Sequence, residues 1–164
     1  DGAVMTHSLS PMYRLLILGA GDVAKFVAEM AIALEYDVML CDPRPNYLDN
    51  WYVPGVEKTA QLPDDVVREH FSNPYSVIVA LAHDPRVDDM ALMEALKTDA
   101  FYIGAMGSVK TSAARRQRLP ELGLSSDEID RLHAPIGFQI NSKTPAEIAI
   151  SVMAEITSVR YQQK

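Results

Sequence analysis

The sequence contains LLILGAGDVA at residues 15–24, an apolar run that ends in a Gly-x-Gly-x-x-Ala turn. Gly19 permits a tight turn, Gly21 lets the backbone approach a pyrophosphate, and the small Ala24 lets a helix pack closely against the strand. The N-terminus of that helix offers unpaired N–H groups and a partial positive charge to a phosphate. Asp42 follows roughly twenty residues later, where a dinucleotide fold has the acid that binds a ribose. We therefore expect a nucleotide or nucleotide-like ligand here; the alternative is an ordinary strand-to-helix turn.

Composition limits the classes of protein that this motif can belong to. The 164 residues fit one domain with a single substantial core. The 15 basic and 22 acidic residues give a net charge of −7, which disfavours binding to nucleic acid or to an anionic membrane. One cysteine cannot form an internal disulfide, and no apolar stretch approaches the roughly 20 residues needed to cross a bilayer. We therefore expect a cytoplasmic protein with no nucleic acid or membrane partner.

Strand and helix patterns alternate along most of the chain. Hydrophobic periodicity predicts strands at residues 13–18, 38–41, 56–59, 76–81 and 101–103. Helical patterns follow most of these strands, and the run at 76–81 is apolar on both faces, which is typical of a central strand. This order predicts a Rossmann-like α/β fold, a doubly wound, mostly parallel sheet in a single domain.

Helix capping and domain limits complete the prediction of the fold. Ser125-x-x-Glu128 and Thr144-Pro145-x-Glu147 are capping boxes that predict two further helix starts. We assign residues 13–160 to the Rossmann-like dinucleotide-binding domain. Residues 1–12 are expected to be a disordered N-terminal segment or a leftover of cloning, and residues 161–164 a C-terminal tail.

In a doubly wound sheet the loops after successive strands meet at the carboxyl edge, where ligands bind. Asp42 would accept hydrogen bonds from both hydroxyls of a ribose, and Arg44 would instead favour a 2′-phosphate. His83 and Asp84 follow the central strand, where His83 would donate to a ligand carbonyl or transfer a proton. The alternative is that Asp84 caps the next helix and His83 fills a turn.

A second glycine turn has the sequence GAMGSVK at residues 104–110. It is not a Walker A loop, because Ser108 and Val109 separate the glycine from the lysine. Four basic residues gather here with no acidic residue between positions 100 and 120: Lys110, Arg115, Arg116 and Arg118. Such a patch would take a phosphate or an acidic partner, or it is simply an exposed basic helix face.

The candidate catalytic residues are His83, Asp84 and His133. His133 belongs to a segment, residues 133–138, with neither a helical nor a strand pattern, which predicts a rigid loop over the ligand or a packed linker. No metal ligands are predicted. The predicted cofactor-binding residues are Gly19, Ala20, Gly21, Asp22, Val23, Asp42, Arg44, His83, Gly104, Gly107, Ser108 and Lys110.

Six motifs together resemble the C-terminal Rossmann domain of the XdhC/CoxI family: GAGDVA at 19–24, DPRP at 42–45, HD at 83–84, YIGAMGS at 102–108, HAPIG at 133–137 and TPAEIA at 144–149. Members of this family are accessory factors of xanthine dehydrogenase and related molybdenum hydroxylases. The resemblance implies a protein that binds the molybdenum cofactor while a cysteine desulfurase helps to install a sulfur ligand, and then transfers it to the apo-enzyme. The glycine turns and the basic helix start would hold the phosphate or dinucleotide end of a molybdopterin-type ligand.

Two features depart from the family pattern. Asp22 stands where the family usually has a histidine, and the family's separate N-terminal domain with a Gly-Gly-Cys segment is not in this sequence. That domain was removed, is a separate protein, or is missing from a stand-alone relative. The leading interpretation is an accessory protein, with a homodimer as an option. The alternatives are an NAD(P)-dependent oxidoreductase, with His83 or His133 as the acid, and a dinucleotide-sensing regulatory domain.

Overall fold

Six parallel strands form one sheet in the computed structural model, which describes residues 11–162. Their order across the sheet is β3-β2-β1-β4-β5-β6, so the winding reverses between β1 and β4. This is the arrangement of a doubly wound Rossmann-like fold and confirms the predicted fold class. The strands are β1 Arg14–Leu18, β2 Asp37–Cys41, β3 Glu57–Thr59, β4 Ser76–Ala80, β5 Tyr102–Ala105 and β6 Leu132–His133.

Helices cover both faces of the sheet. They are α1 Asp22–Ala33, α2 Pro63–His70, α3 Pro85–Ala95, α4 Val109–Arg118, α5 Ser126–Asp130 and α6 Pro145–Gln162. Apolar residues of α1 and α6 pack with one set of strand side chains, and those of α2, α3 and α5 pack with the other set. Because β1 and β4 lie between these two layers, both of their faces are apolar and buried.

The structure differs from the prediction at several element boundaries. His133 lies in β6, an edge strand that pairs with β5, so the expectation of a segment without strand structure is wrong there. Strand β5 continues to Ala105 and thereby includes Gly104. Helix α6 runs through Gln162, beyond the predicted domain limit at residue 160. The predicted N-terminal segment falls mostly outside the described residues.

Gly19 directly follows β1 and lies against Ala82, which follows β4. Its φ of +103° is in the region that favours glycine, and its N–H donates to the Cys41 carbonyl at 2.9 Å. A Cβ at this position would lie 2.4 Å from Cα of Ala82, which is backbone and cannot rotate away. The two strand ends therefore approach this closely only because residue 19 has no side chain.

We expect Gly19→Ala to lower the free energy of unfolding by about 2–4 kcal/mol, because it combines a strained φ with a backbone clash. Gly21→Ala is the matched control: nothing lies within 4 Å of a Cβ at Gly21, whose φ is −122°. Its effect should stay below about 1 kcal/mol. Urea denaturation of both variants measures the difference, and similar losses in the two would contradict this account.

Candidate functional site

The start of α1 lies at the carboxyl edge of the sheet, beside the reversal of strand order. Gly21 is the N-cap of α1, and no side chain among the described residues caps this helix. Open space surrounds the Cβ position of Gly21, so its backbone is accessible to a ligand. An uncapped helix N-terminus with an accessible backbone suits a phosphate. The neighbouring Asp22 is an exposed acid in the first turn, and its negative charge opposes an anion at this end of the helix.

The loop between β2 and β3 covers one side of this turn. Trp51, which is 7% exposed, donates from Nε1 to the Gly21 carbonyl at 3.1 Å. The Nζ of Lys58 donates to the carbonyls of Leu48 and Trp51 at 3.0 and 2.8 Å, which fixes the loop. The sequence does not indicate a role for Trp51, because a tryptophan in a proline-rich loop belongs to no motif. As the single tryptophan of the chain, it is a natural fluorescent reporter of the first glycine turn.

Asp42 is fully buried at the end of β2, and its carboxylate already has several donors. Oδ2 accepts from the Ala20 N–H at 2.9 Å and from Nη2 of Arg44 at 2.8 Å. Oδ1 accepts from Nε and from the backbone N–H of Arg44 at 3.0 and 3.1 Å. Burial would raise the pKa of Asp42, but the hydrogen bonds from Arg44 and Ala20 outweigh it and hold the pKa below its ordinary value. The carboxylate therefore fixes the glycine turn in place.

The guanidinium of Arg44 bridges the ends of β2 and β4. Besides Asp42, it donates from Nη1 to the Ala82 carbonyl at 3.4 Å and lies 4.0 Å from Asp84. The ring of Tyr47 stacks on it at 3.7 Å. Because β1 lies between β2 and β4, this bridge crosses the end of β1 beside Gly19. A ribose could reach Asp42 only after Arg44 moved, so ribose binding by Asp42 stays a prediction.

Arg44→Met should lower the free energy of unfolding by about 2–3 kcal/mol, because it leaves the buried Asp42 carboxylate without its ionic partner. Adding Asp42→Asn to that variant should recover part of the loss, giving a coupling of about 1–2 kcal/mol in a double-mutant cycle.

Arg86→Met is the matched control for this experiment. Arg86 pairs with Asp84 at 3.0 Å but is 88% exposed, so its removal should leave the free energy of unfolding nearly unchanged. Chemical denaturation of the four variants gives these values. Strictly additive effects of the Arg44 and Asp42 substitutions would contradict the proposed pair.

The turn after β4 brings His83 and Asp84 to the same edge. Asp84 is the N-cap of α3 and accepts from the Arg86 N–H at 3.0 Å, as one of the two sequence-based alternatives predicted. Hydrogen bonds from Arg86 lower the pKa of Asp84 below its ordinary value. His83 is exposed, has a φ of +58° and lines a cleft next to the second glycine turn. A catalytic role for either residue stays a prediction.

The clustered arginines hold other parts of the fold together. Arg115 is 5% exposed and donates to Asp89 at 3.2 Å, and Arg118 donates to the same carboxylate at 2.9 Å. Arg116 donates to three backbone carbonyls, those of Ile129, Leu132 and Ala134. Arg115 therefore belongs neither to a free basic patch nor to an exposed basic helix face, so both sequence-based alternatives are wrong for this residue. Asp88, the neighbour of Asp89 in α3, accepts from the Ala82 N–H at 3.1 Å.

Asp88 is buried beside this network, and burial raises its pKa to about 6. The unfolded chain has a pKa of about 3.9 here, so the folded chain binds the proton more tightly. Stability contributed by this group therefore increases as the pH falls from about 7 to about 4. Asp88→Asn keeps an acceptor for Ala82 but removes the titration, so its unfolding free energy should depend less on pH, by roughly 2 kcal/mol over that interval.

Denaturation at a series of pH values tests this expectation, with Asp99→Asn at an exposed position as the matched control. If the free energy of unfolding depends on pH in the same way for the native chain and for Asp88→Asn, then Asp88 has the same pKa in the folded and unfolded chain, and the expectation is wrong.

The second glycine turn contains residues with different functions. Gly104 is buried in β5, and a Cβ there would lie 2.7 Å from Ile136, so this glycine makes room for packing. Ligand contact by Gly104 stays a prediction. Gly107 precedes α4, and the Ser108 hydroxyl caps that helix by accepting from the Thr111 N–H at 3.0 Å. Lys110 is exposed near the start of α4.

Two clefts flank the second glycine turn, and both include Met106 and Gly107. One, of about 200 Å³, lies on the side of His83 and α4. The other, of about 310 Å³, lies between the turn, α6 and residues 138–143. This second cleft could not be predicted from the sequence, because none of the six motifs covers residues 138–143, which form its wall.

His133 lies away from these clefts, against α6. Its ring stacks on Tyr102 with centroids 4.5 Å apart, and Nδ1 is 3.5 Å from Oε1 of Glu155. Tyr102 donates a hydrogen bond to the same oxygen. Burial lowers the pKa of His133 although Glu155 acts in the opposite sense. The predicted loop over the ligand is therefore a packed strand end, and catalysis by His133 stays a prediction.

Across residues 11–162, no cluster of three or more histidine, cysteine or acidic side chains is arranged to hold a metal ion. The helices in this part of the chain are also too short or too polar to span a bilayer.

Similarity to known proteins assigns the chain to a family. The XdhC Rossmann domain matches residues 15–156. The chain belongs to the XdhC family. It is 31% identical over 154 residues to the molybdenum cofactor insertion chaperone PaoD of Escherichia coli strain K12, covering 94% of this chain and 42% of that protein. It is 28% identical over 153 residues to a probable xanthine dehydrogenase subunit of Bacillus subtilis strain 168, covering 93% of this chain and 44% of that protein.

A solved structure agrees with this assignment. The crystal structure of a xanthine dehydrogenase from Bacillus halodurans superposes with a TM-score of 0.78 at 28% identity, covering 94% of this chain and 44% of that one. This XdhC domain thus spans less than half the length of these relatives. The resemblance inferred from the six sequence motifs is confirmed.

Proposed function

We propose that this XdhC domain is the ligand-holding part of a maturation factor for a molybdenum hydroxylase of the xanthine dehydrogenase type. Its ligand is a molybdopterin-type cofactor, and the carboxyl-edge crevice binds it. Membership of the XdhC family supports the role in maturation of a molybdenum hydroxylase, since one relative is named a molybdenum cofactor insertion chaperone and another a probable xanthine dehydrogenase subunit.

The accessible, uncapped start of α1 is the main support for placing the ligand in this crevice. Gly21 leaves open space, no described side chain caps the helix, and the strand order reverses at this point. The phosphate of a pterin ligand would accept hydrogen bonds from the first main-chain N–H groups of α1, without a cationic side chain. Asp22 limits the negative charge that the site tolerates, which favours a single phosphate over a crowded cluster of anions.

The partner in this proposal is an apo molybdenum hydroxylase, which receives the cofactor in the cytoplasm. Assistance by a cysteine desulfurase and a homodimeric state are further predictions from the family resemblance. Binding and transfer need no proton transfer by this domain, which agrees with the engagement of Asp84 as a helix cap and of His133 in packing.

Gly21→Val should abolish binding of a molybdopterin preparation, because its side chain would fill the space that a phosphate needs. The free energy of unfolding should change by only about 1–2 kcal/mol, the usual range for a point mutation. Quenching of Trp51 fluorescence, which reports on the Gly21 carbonyl, and titration calorimetry measure binding independently.

Gly123→Ala is the control for stability, since Gly123 has a φ of +87° and open space but lies in a turn after α4. It should lose some stability and keep full affinity. Parallel titrations with NADH and NADPH distinguish the rival functions. Binding of a nicotinamide dinucleotide with no binding of molybdopterin would overturn the proposal in favour of an oxidoreductase or a sensor.

A further inference from the structure

Asp42 stands at the position that would make the first glycine turn selective for a ribose. It directly follows β2, which lies beside β1 in the sheet, and its Oδ2 accepts from the Ala20 N–H of that turn at 2.9 Å. In dinucleotide-binding folds an acid at this position accepts hydrogen bonds from the ribose of the adenosine half. The place and the chemistry of this carboxylate therefore suit NADH, whereas its surroundings do not.

The guanidinium of Arg44 covers the carboxylate where a ribose would bind. Its Nη2 donates to Oδ2 at 2.8 Å and its Nε donates to Oδ1 at 3.0 Å, so both oxygens of Asp42 are bonded at once. Two parallel N–H donors that match a carboxylate take the place of the two O–H donors of a ribose diol. Asp42 has no exposed surface in this arrangement, so a ribose hydroxyl reaches neither oxygen.

Neighbouring groups hold the Arg44 side chain in this position. Only Pro43, whose ring restricts φ, separates Arg44 from Asp42, so the pair closes a very short loop. Nη1 donates to the Ala82 carbonyl at 3.4 Å, and the guanidinium carbon lies 3.7 Å from the centre of the Tyr47 ring. A competing ribose must break these contacts before it forms hydrogen bonds of its own.

We propose that Arg44 is a specificity-determining residue of the first glycine turn. By occupying the ribose position on Asp42, it excludes NADH and other dinucleotides whose pyrophosphate continues into an adenosine. A ligand whose phosphate is terminal makes no contact with Asp42 and is not excluded. This proposal goes beyond the proposed function, because it concerns what the turn rejects and holds for any ligand at the start of α1.

The Arg44→Ser variant tests the proposal, because serine uncovers both oxygens of the Asp42 carboxylate. Titration calorimetry and nicotinamide fluorescence measure the binding of NADH and NADPH. We expect the native chain to bind both weakly and Arg44→Ser to bind NADH about tenfold more tightly or better, since hydrogen bonds to a charged group are the strong ones. NADPH should gain little, because the uncovered carboxylate repels its 2′-phosphate.

An Asp22→Asn background brings weak binding into the measurable range. The exposed carboxylate of Asp22 in the first turn of α1 opposes the pyrophosphate of both compounds, whichever residue stands at position 44. Its replacement should raise the affinities for NADH and NADPH by similar factors. The preference for NADH in Arg44→Ser should therefore be the same in both backgrounds.

Two controls separate the loss of Arg44 from a general loosening of the fold. Arg86→Ser removes an arginine that bonds to Asp84 instead of Asp42, and it should leave NADH binding unchanged. Arg44→Ser combined with Asp42→Asn uncovers an amide in place of the carboxylate, and it should lose the preference for NADH over NADPH.

Circular dichroism shows whether Arg44→Ser folds. Arg44→Lys replaces it if it does not, because the ammonium keeps a charge beside Asp42 but lacks the planar fork that bonds both oxygens. Arg44→Lys should show the same preference for NADH with a smaller gain.

The proposal is wrong if the native chain binds NADH as tightly as Arg44→Ser does, if a folded Arg44 variant gains no affinity, or if NADH and NADPH gain equally. It is also wrong if the native chain binds NADPH more tightly than Arg44→Ser, since Arg44 would then hold the 2′-phosphate. Binding of a molybdopterin preparation to the native chain in any of these cases would leave the proposed function intact. If Arg44→Ser gains NADH binding but the native chain does not bind molybdopterin, this proposal stands and the proposed function fails.

Discussion

The close approach of Gly19 to Ala82 sets the geometry on which the crevice depends. With a Cβ position 2.4 Å from the Ala82 backbone, the ends of β1 and β4 can meet only without a side chain at residue 19. The N–H of Leu81 donates to the Leu18 carbonyl at 2.8 Å and extends the pairing to this point. Because the winding reverses between these two strands, their loops separate to opposite faces and leave a crevice above the contact.

Ion pairs around the crevice have a structural function that composition does not reveal. Arg44 holds the Asp42 carboxylate and reaches across to the end of β4, while Arg115 and Arg118, which line the smaller cleft, hold Asp89. The Asp42 and Asp89 carboxylates are thus paired, which is the condition under which such groups remain ionised inside a protein. These pairs stabilise the loops, and they leave the start of α1 as the place where main-chain N–H groups remain available to a ligand.

Much of the fold could be predicted from the sequence because local pattern and tertiary position agree. The apolar runs of β1 and β4 are central strands, and the Ser125 box caps α5 with both of its hydrogen bonds. Strand β6 was missed because two residues have no periodicity, and its edge position depends on pairing with β5. The burial of Arg115 was missed for a related reason, since its partner Asp89 is 26 residues away along the chain.

The candidate site could be predicted where a motif fixes the backbone geometry. It could not be predicted where the hydrogen-bond partner of a side chain depends on the tertiary structure. Gly19 and Gly21 act through the absence of a side chain, which the sequence states directly. Asp42 occupies the position of a ribose-binding acid, but the sequence cannot show that Arg44 saturates it. The same limit explains the missed cleft, because the wall at residues 138–143 depends on hydrogen bonds to Glu155 and Glu147, which belong to α6. With Asp42 and Asp84 engaged inside the fold, main-chain N–H groups at the start of α1 remain available for the ligand binding that we propose. Such groups can bind and orient a phosphate without transferring protons, which agrees with the proposed role in holding a cofactor.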